Sequence, residues 1–263
     1  MSMISIRDLN LSVTTGKQTT HILKDVSFDL EAGRITGVAG ASGSGKTQTG
    51  LAIMGLSPAG AELSGSIDFD GVELVGMPGK QHNRLRGVQL SMVFQDPASA
   101  FHPMLTVGDQ ITDHFRHHQK VSKKEALAKA IDILGQTRVP HPEEAVKKYP
   151  HQFSGGQLQR IAFASAIICD PKVLIADEPT TALDVTVQAG ILRLLRDLCD
   201  DLDLAVLLVT HDFGVLSSVA DTIVVMKNGV VVETGDRETV ITAPEHEYTR
   251  SLIESLPGAE VTQ

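Results

Sequence analysis

One octapeptide constrains this chain more than any other segment: Gly40-Ala-Ser-Gly-Ser-Gly-Lys-Thr47. It follows the run Arg34–Ala39, which reads as a strand, and opens a helical pattern from about Lys46 to Leu56. A strand that passes through GxxxxGK[ST] straight into a helix turns successive backbone N–H groups inward, and the helix start adds a favourable dipole for an anion. Gly40, Ala41, Ser42, Gly43, Ser44, Gly45, Lys46, Thr47 and Gln48 are the candidate phosphate cradle. Lys46 is expected to reach the β- and γ-phosphates of a nucleotide, and the Thr47 hydroxyl to coordinate Mg²⁺.

A second element complements the first. Val173-Leu-Ile-Ala-Asp177-Glu178 is a buried-strand pattern ending in two carboxylates. Asp177 is placed to hold Mg²⁺, and Glu178 to polarise an attacking water as general base.

Around these motifs, short apolar runs alternate with helical periods, which predicts an α/β fold with a largely parallel sheet. Ile4–Val13 and Ile22–Leu30 alternate and read as an N-terminal antiparallel β layer, separated by a flexible polar stretch, Thr14–Thr20. Gly65–Phe69 and Val88–Phe94 look like further strands. From about Asp96 to Ala164 strand patterns vanish, and Lys123–Leu134 and Leu158–Ile168 carry helical periodicity. Alternation resumes with Val173–Ala176, Thr186–Leu202, Leu204–Thr210, Ile223–Met226 and Val230–Glu233. The expected organisation is one domain: a nucleotide-binding core from 1–95 and 165–240, a helical subdomain at 96–164, and a short tail from 241–263.

Composition narrows the class. Lys+Arg total 23 against Asp+Glu 32, a formal charge of −9, which argues against a sequence-independent hold on nucleic acid. Mean hydropathy is +0.04, and the longest apolar runs are far short of the ~20 residues a membrane helix needs. No signal peptide is visible at the N-terminus. Two cysteines, Cys169 and Cys199, show no CxxC pairing, which fits a reducing cytoplasm.

The most specific segment is Phe153-Ser-Gly-Gly-Gln157, followed by Leu158-Gln-Arg160. It resembles the signature motif of ATP-binding cassette (ABC) ATPases. That family's other motifs follow in its order: Gln95 at a strand end as in the Q-loop, Asp184 as in the D-loop, and His211 at the switch position. The resemblance implies a P-loop NTPase with a RecA-like core, ATP and Mg²⁺ as ligands, and hydrolysis shared between two chains. Ser154, Gly155, Gly156 and Gln157 of one cassette would close over ATP held by the phosphate loop of the other, in a head-to-tail dimer. His211 would contact the γ-phosphate and hold Glu178, and Gln95 would sense metal and nucleotide. Family members stack an aromatic on adenine; here Lys17-Gln-Thr-Thr-His-Ile22 has none, so His21 is the candidate and loose purine discrimination is expected.

Gln95-Asp-Pro-Ala-Ser-Ala-Phe-His-Pro103, Tyr149-Pro-His-Gln-Phe153, Ile175–Gln188 and Glu245-His-Glu-Tyr-Thr-Arg250 resemble the dipeptide/oligopeptide/nickel uptake subfamily. This implies an importer's energy-coupling ATPase, peripheral on the cytoplasmic side of the inner membrane. Its partners would be two permeases, a second and different ABC ATPase, and an extracytoplasmic binding protein, with no nucleic acid. The cargo stays open between peptide and nickel or metal chelate. A soluble ABC ATPase serving a metabolic complex such as carbon–phosphorus lyase is the alternative. His114, His117 and His118 share a helical face, read as solvated and near the permease contact rather than as metal ligands. Cys169 reads as core packing; Cys199 is expected on a partly exposed helix, where a redox role stays open.

Overall fold

Alternating strands and fully apolar runs sort into two separate sheets. The computed structural model describes residues 2–181 and 183–254. β1 (Ser2–Thr15) and β2 (Gln18–Glu31) form an antiparallel hairpin. Its ladder reaches Thr15↔Gln18, so the stretch expected to be flexible is paired up to a tight turn in which Gly16 takes φ +66°. β3 (Ile35–Ala39) runs into the glycine loop and α1 (Lys46–Ile53). β4 (Ala61–Phe69) and β5 (Val72–Glu73) return to the hairpin, and α2 (Gly79–Leu85) leads to β6 (Leu90–Val93).

A helical stretch follows: α3 (Pro97–Ala100), α4 (Val107–His118), α5 (Lys123–Gln136), α6 (Pro142–Ala145) and α7 (Gly155–Ile167). Side-chain caps start the longer ones. Thr106 caps α4, and Ser122 with Glu125 forms a capping box on α5. α7 runs unbroken through the expected boundary at 164/165. The alternation then resumes with β7 (Val173–Asp177), α8 (Val185–Leu202), β8 (Ala205–Val209), α9 (Phe213–Val219), β9 (Thr222–Lys227) and β10 (Val230–Asp236). The expected tail from 241 begins within α10 (Arg237–Thr242) and, after a short non-helical link, forms α11 (Glu247–Glu254); residues 255–263 lie outside the described residues.

The hairpin sheet has the order β2-β1-β4-β5 and is antiparallel. The second sheet has the order β10-β9-β3-β8-β7-β6, parallel except for β10 at its edge. Both faces of the second sheet are covered at its centre, which is why β3, β7 and β8 are buried along their whole length rather than alternating between buried and exposed. Val173 and Ile175 of β7, with Leu207 and Val209 of β8, pack toward the hairpin sheet and α1. Leu174, Ala176, Val206 and Leu208 point the other way, against a core that contains Phe163 of α7 and Leu195 of α8. The period-two alternation thus welds two cores onto one sheet.

Candidate functional site

Parallel pairing delivers four chain segments to one edge of the sheet. β3, β8, β7 and β6 are neighbours with a common direction, so everything after their C-terminal ends emerges together, where open α/β sheets bind ligands. β3 supplies the glycine loop, β8 supplies His211, β7 supplies Asp177 and Glu178, and β6 supplies Gln95. Loop residues 41–48, Gln95, Glu178, Thr181 and His211 line one open cavity of about 710 Å³.

The loop is glycine-dependent at its base. A Cβ on Gly40 would stand 2.2 Å from the Met226 carbonyl oxygen, and one on Gly45, at φ +103°, 2.7 Å from Leu23. Lys46 is 6% exposed, and its ammonium donates to the Gly40 and Ala41 carbonyls at 2.8 and 3.1 Å. Burial lowers its pKa, and the charges of Glu178 and Asp177 oppose that shift. The Thr47 hydroxyl donates to Asp177 Oδ1 at 3.0 Å.

The two adjacent carboxylates occupy different environments. Asp177 is buried at 6% exposure, and burial pushes its pKa up, opposed by the Thr47 hydrogen bond and reinforced by the Glu178 charge. Glu178 leaves the strand at φ +45°, a left-handed conformation costly for glutamate and characteristic of constrained sites. Its backbone N–H donates to the Val209 carbonyl at 2.8 Å, and three side chains hold its carboxylate. His211 Nδ1 lies 3.0 Å from Oε1, Thr181 Oγ1 donates to Oε2 at 2.8 Å, and Gln95 Nε2 donates to Oε2 at 3.2 Å. Burial raises the Glu178 pKa, but the bonds from His211 and Thr181 and the charge of Lys46 outweigh it and hold the carboxyl below its ordinary value. An ionised carboxylate pinned by three donors can receive a proton from a water in the cavity.

Ser154, Gly155, Gly156 and Gln157 do not line this cavity. Ser154 and Gln157 close a capping box at the start of α7: the Ser154 hydroxyl accepts from the Gln157 N–H at 3.4 Å, and Gln157 Oε1 from the Ser154 N–H at 3.0 Å. Asp184 caps α8, accepting from the Val187 N–H at 3.0 Å. These segments meet each other, since a Cβ on Gly156 would stand 2.4 Å from Val187 Cγ1.

His21, expected beside the nucleotide base, is not among the cavity-lining residues; Ile22 is. The β1–β2 register passes from Leu11↔Leu23 to Ser12↔His21. Ile22 is therefore a bulged residue, and it is the one set against the loop. Thr181 and Tyr248 are further residues at the site; both lie in segments that carry the subfamily resemblance, but the motifs alone assign them no role there. Thr181 sits one turn past Glu178, and the Tyr248 hydroxyl accepts from the Ala41 N–H at 2.9 Å.

His114, His117 and His118 cluster edge to face on α4, with ring centroids 5.0 and 4.9 Å apart. Burial, then the neighbouring histidines, lower the pKa of His114 and His118. The described residues contain no group of three or more His, Cys, Asp or Glu arranged for a metal ion. Cys199 is not on an exposed face: it is fully buried, its thiol donates to the Leu204 carbonyl at 3.2 Å, and burial raises its pKa to about 12. Such a thiol is unreactive. Cys169 is buried too, at a pKa of about 11.

Comparison with known proteins agrees with this geometry. The ABC transporter family model matches residues 23–181, which include the loop and both carboxylates. The chain is 44% identical, over 99% of its length and 80% of the relative's, to the dipeptide transport ATP-binding protein DppD of Bacillus subtilis (strain 168). It is 40% identical to the oligopeptide transport ATP-binding protein OppD of Escherichia coli (strain K12), over 97% of this chain and 76% of that one. Among solved structures it resembles the dimeric post-hydrolysis state of the ATP-binding cassette MJ0796 bound to ADP and Pi. The TM-score is 0.79 at 26% identity, covering 89% of this chain and 99% of that one. Strand order, the carboxylate held at the sheet edge and these likenesses together place the chain in the ABC transporter family, as an ATPase.

Proposed function

We propose that this ATPase is the energy-coupling subunit of a membrane importer for peptides. Identity of 44% to a dipeptide transport ATP-binding protein across 99% of the chain carries this reading. The described residues contain no helix long and apolar enough to cross a membrane. In this reading the spanning path is supplied by permease chains, with this subunit on their cytoplasmic side. An apolar groove of about 270 Å³ between the sheet edge and the helical stretch, lined by Leu56, Met92, Phe94, Phe101 and His114, is the permease contact. Phe94 and Leu56 stand exposed there.

Backbone N–H groups of the loop and the Lys46 ammonium hold the ATP phosphates. Asp177, a buried carboxylate beside a second negative charge, fits a hard divalent cation, and with the Thr47 hydroxyl and Gln95 it forms an all-oxygen donor set suited to Mg²⁺. Bound there, Mg²⁺ would neutralise charge developing on the phosphate oxygens. Glu178 takes the proton of the attacking water, and His211, bonded to Glu178 through Nδ1, keeps Nε2 for the γ-phosphate. Ser154 to Gln157 lie outside their own chain's cavity and complete the site of a second cassette, a different chain, in a head-to-tail dimer, with Asp184 at the seam.

Deleting this chain in its native cell should abolish uptake of a radiolabelled dipeptide or tripeptide. The native chain should restore it and Glu178→Gln should not. Undiminished peptide uptake in the deletion strain would overturn the cargo assignment.

A further inference from the structure

The segment Glu245-His-Glu-Tyr-Thr-Arg250 plays no part in the chemistry above, yet its side and main chains converge on the phosphate loop. Glu233 of β10 accepts from the Glu245 and His246 N–H groups at 2.8 and 3.0 Å. His246 Nδ1 accepts from the Tyr248 N–H at 3.0 Å, and Arg250 donates to the Glu245 carbonyl at 2.7 Å. The start of α11 is therefore tied down at both ends of its first turn. Lys227 Nζ lies 4.7 Å from the Tyr248 ring centroid, a cation–π contact that holds the ring.

So oriented, the Tyr248 hydroxyl accepts from the Ala41 N–H at 2.9 Å. That N–H shares a peptide plane with the Gly40 carbonyl, which accepts from the Lys46 ammonium at 2.8 Å. The plane is thus gripped from both sides, by Tyr248 on the N–H and by Lys46 on the C=O. Gly40, at φ +152° and packed against the Met226 carbonyl, has no side chain of its own to fix that plane. Without the tyrosine the plane can turn, and Lys46 loses a fixed anchor before the nucleotide arrives.

We infer that Tyr248 is a positioning residue that sets the phosphate loop for nucleotide, so that the C-terminal helix and the nucleotide stabilise each other. This rests on the loop's holding the nucleotide. Coupling of this kind is reciprocal: if α11 tightens nucleotide binding, nucleotide must tighten α11.

The test uses the full chain with Mg-ADP, by titration calorimetry and by hydrogen exchange of the α11 amides. Tyr248→Phe keeps the ring over Lys227 and removes only the hydroxyl. It should raise the Mg-ADP Kd about three- to tenfold, the range for one lost hydrogen bond, and raise the KM for ATP more than it lowers kcat. Mg-ADP should slow amide exchange in α11 of the native chain but not of Tyr248→Phe. Glu233→Ala, which frees the start of α11, should weaken binding in the same direction. A folded Tyr248→Phe with a Kd within 1.5-fold of native and unchanged α11 protection overturns the inference. Lys46→Ala separates the underlying reading: native affinity in that variant would remove the loop from nucleotide binding and the inference with it.

Discussion

His211 Nδ1 lies 3.0 Å from Glu178 Oε1, joining the ends of two adjacent parallel strands, β8 and β7. The bond fixes the carboxylate and helps keep it ionised against the effect of burial. Thr181 and Gln95 grip the other oxygen, so the carboxylate is held on both sides while its backbone sits at φ +45°.

His211→Ala should therefore shift the acid limb of the ATPase pH–rate profile to higher pH. The histidine is the strongest influence lowering the Glu178 pKa, and burial, which raises it, remains when the ring is gone. Linkage gives a matching stability effect. In the native chain the folded carboxyl titrates below its ordinary 4.5, so its contribution is full above about pH 4.5 and is lost as pH falls through the folded value. Rates measured between about pH 4 and 8, and melting temperatures followed down to about pH 2.5, check both. An acid limb that stays in place would contradict the assigned role of His211.

Asp177 is linked in the opposite sense. Burial raises its pKa above 3.8, so the folded state binds the proton more tightly, and the ionised group costs stability once pH rises through the folded value. Asp177→Asn keeps an oxygen for the Thr47 hydroxyl and removes the charge. Without nucleotide it should melt about 2 °C higher at pH 7, the gain vanishing below pH 3.8, while Mg-dependent hydrolysis falls at least about 100-fold. A lower melting temperature at pH 7 would show that the charge is compensated after all.

The contact of Gly156 with Val187 couples the start of α7 to the start of α8. Gly156→Ala puts a methyl 2.4 Å from Val187 Cγ1 and should cost about 1–3 kcal/mol. Adding Val187→Ala should recover most of it, so the two changes will be strongly non-additive in denaturant titrations. Simple additivity would mean that the helix starts move independently.

The parts of this site that read directly from sequence are those dictated by local chemistry. Gly40 and Gly45 have to sit where the loop folds back on Met226 and Leu23, and Asp177-Glu178 has to follow an apolar strand. Other features depend on distant partners. Ala41 and Tyr248 are 207 residues apart, and nothing near either one announces the other. Ile22 displaces His21 because of a bulge, whose place is set by how β1 and β2 pair and not by either strand alone. Cys199 precedes the charged pair Asp200-Asp201, but helical phase decides its place: it follows Leu195 by four residues, on the buried stripe of α8.

Affinity capture of the tagged Glu178→Gln chain, expressed in its native cell and gently solubilised with Mg-ATP present, tests most directly whether this ATPase drives an importer. Loss of the base should arrest turnover with ATP bound and hold the assembly closed. Two integral-membrane permeases and a second, different ABC ATPase should copurify. Recovery of soluble lyase subunits, with no membrane protein, would contradict the account and move the same motor to a different machine.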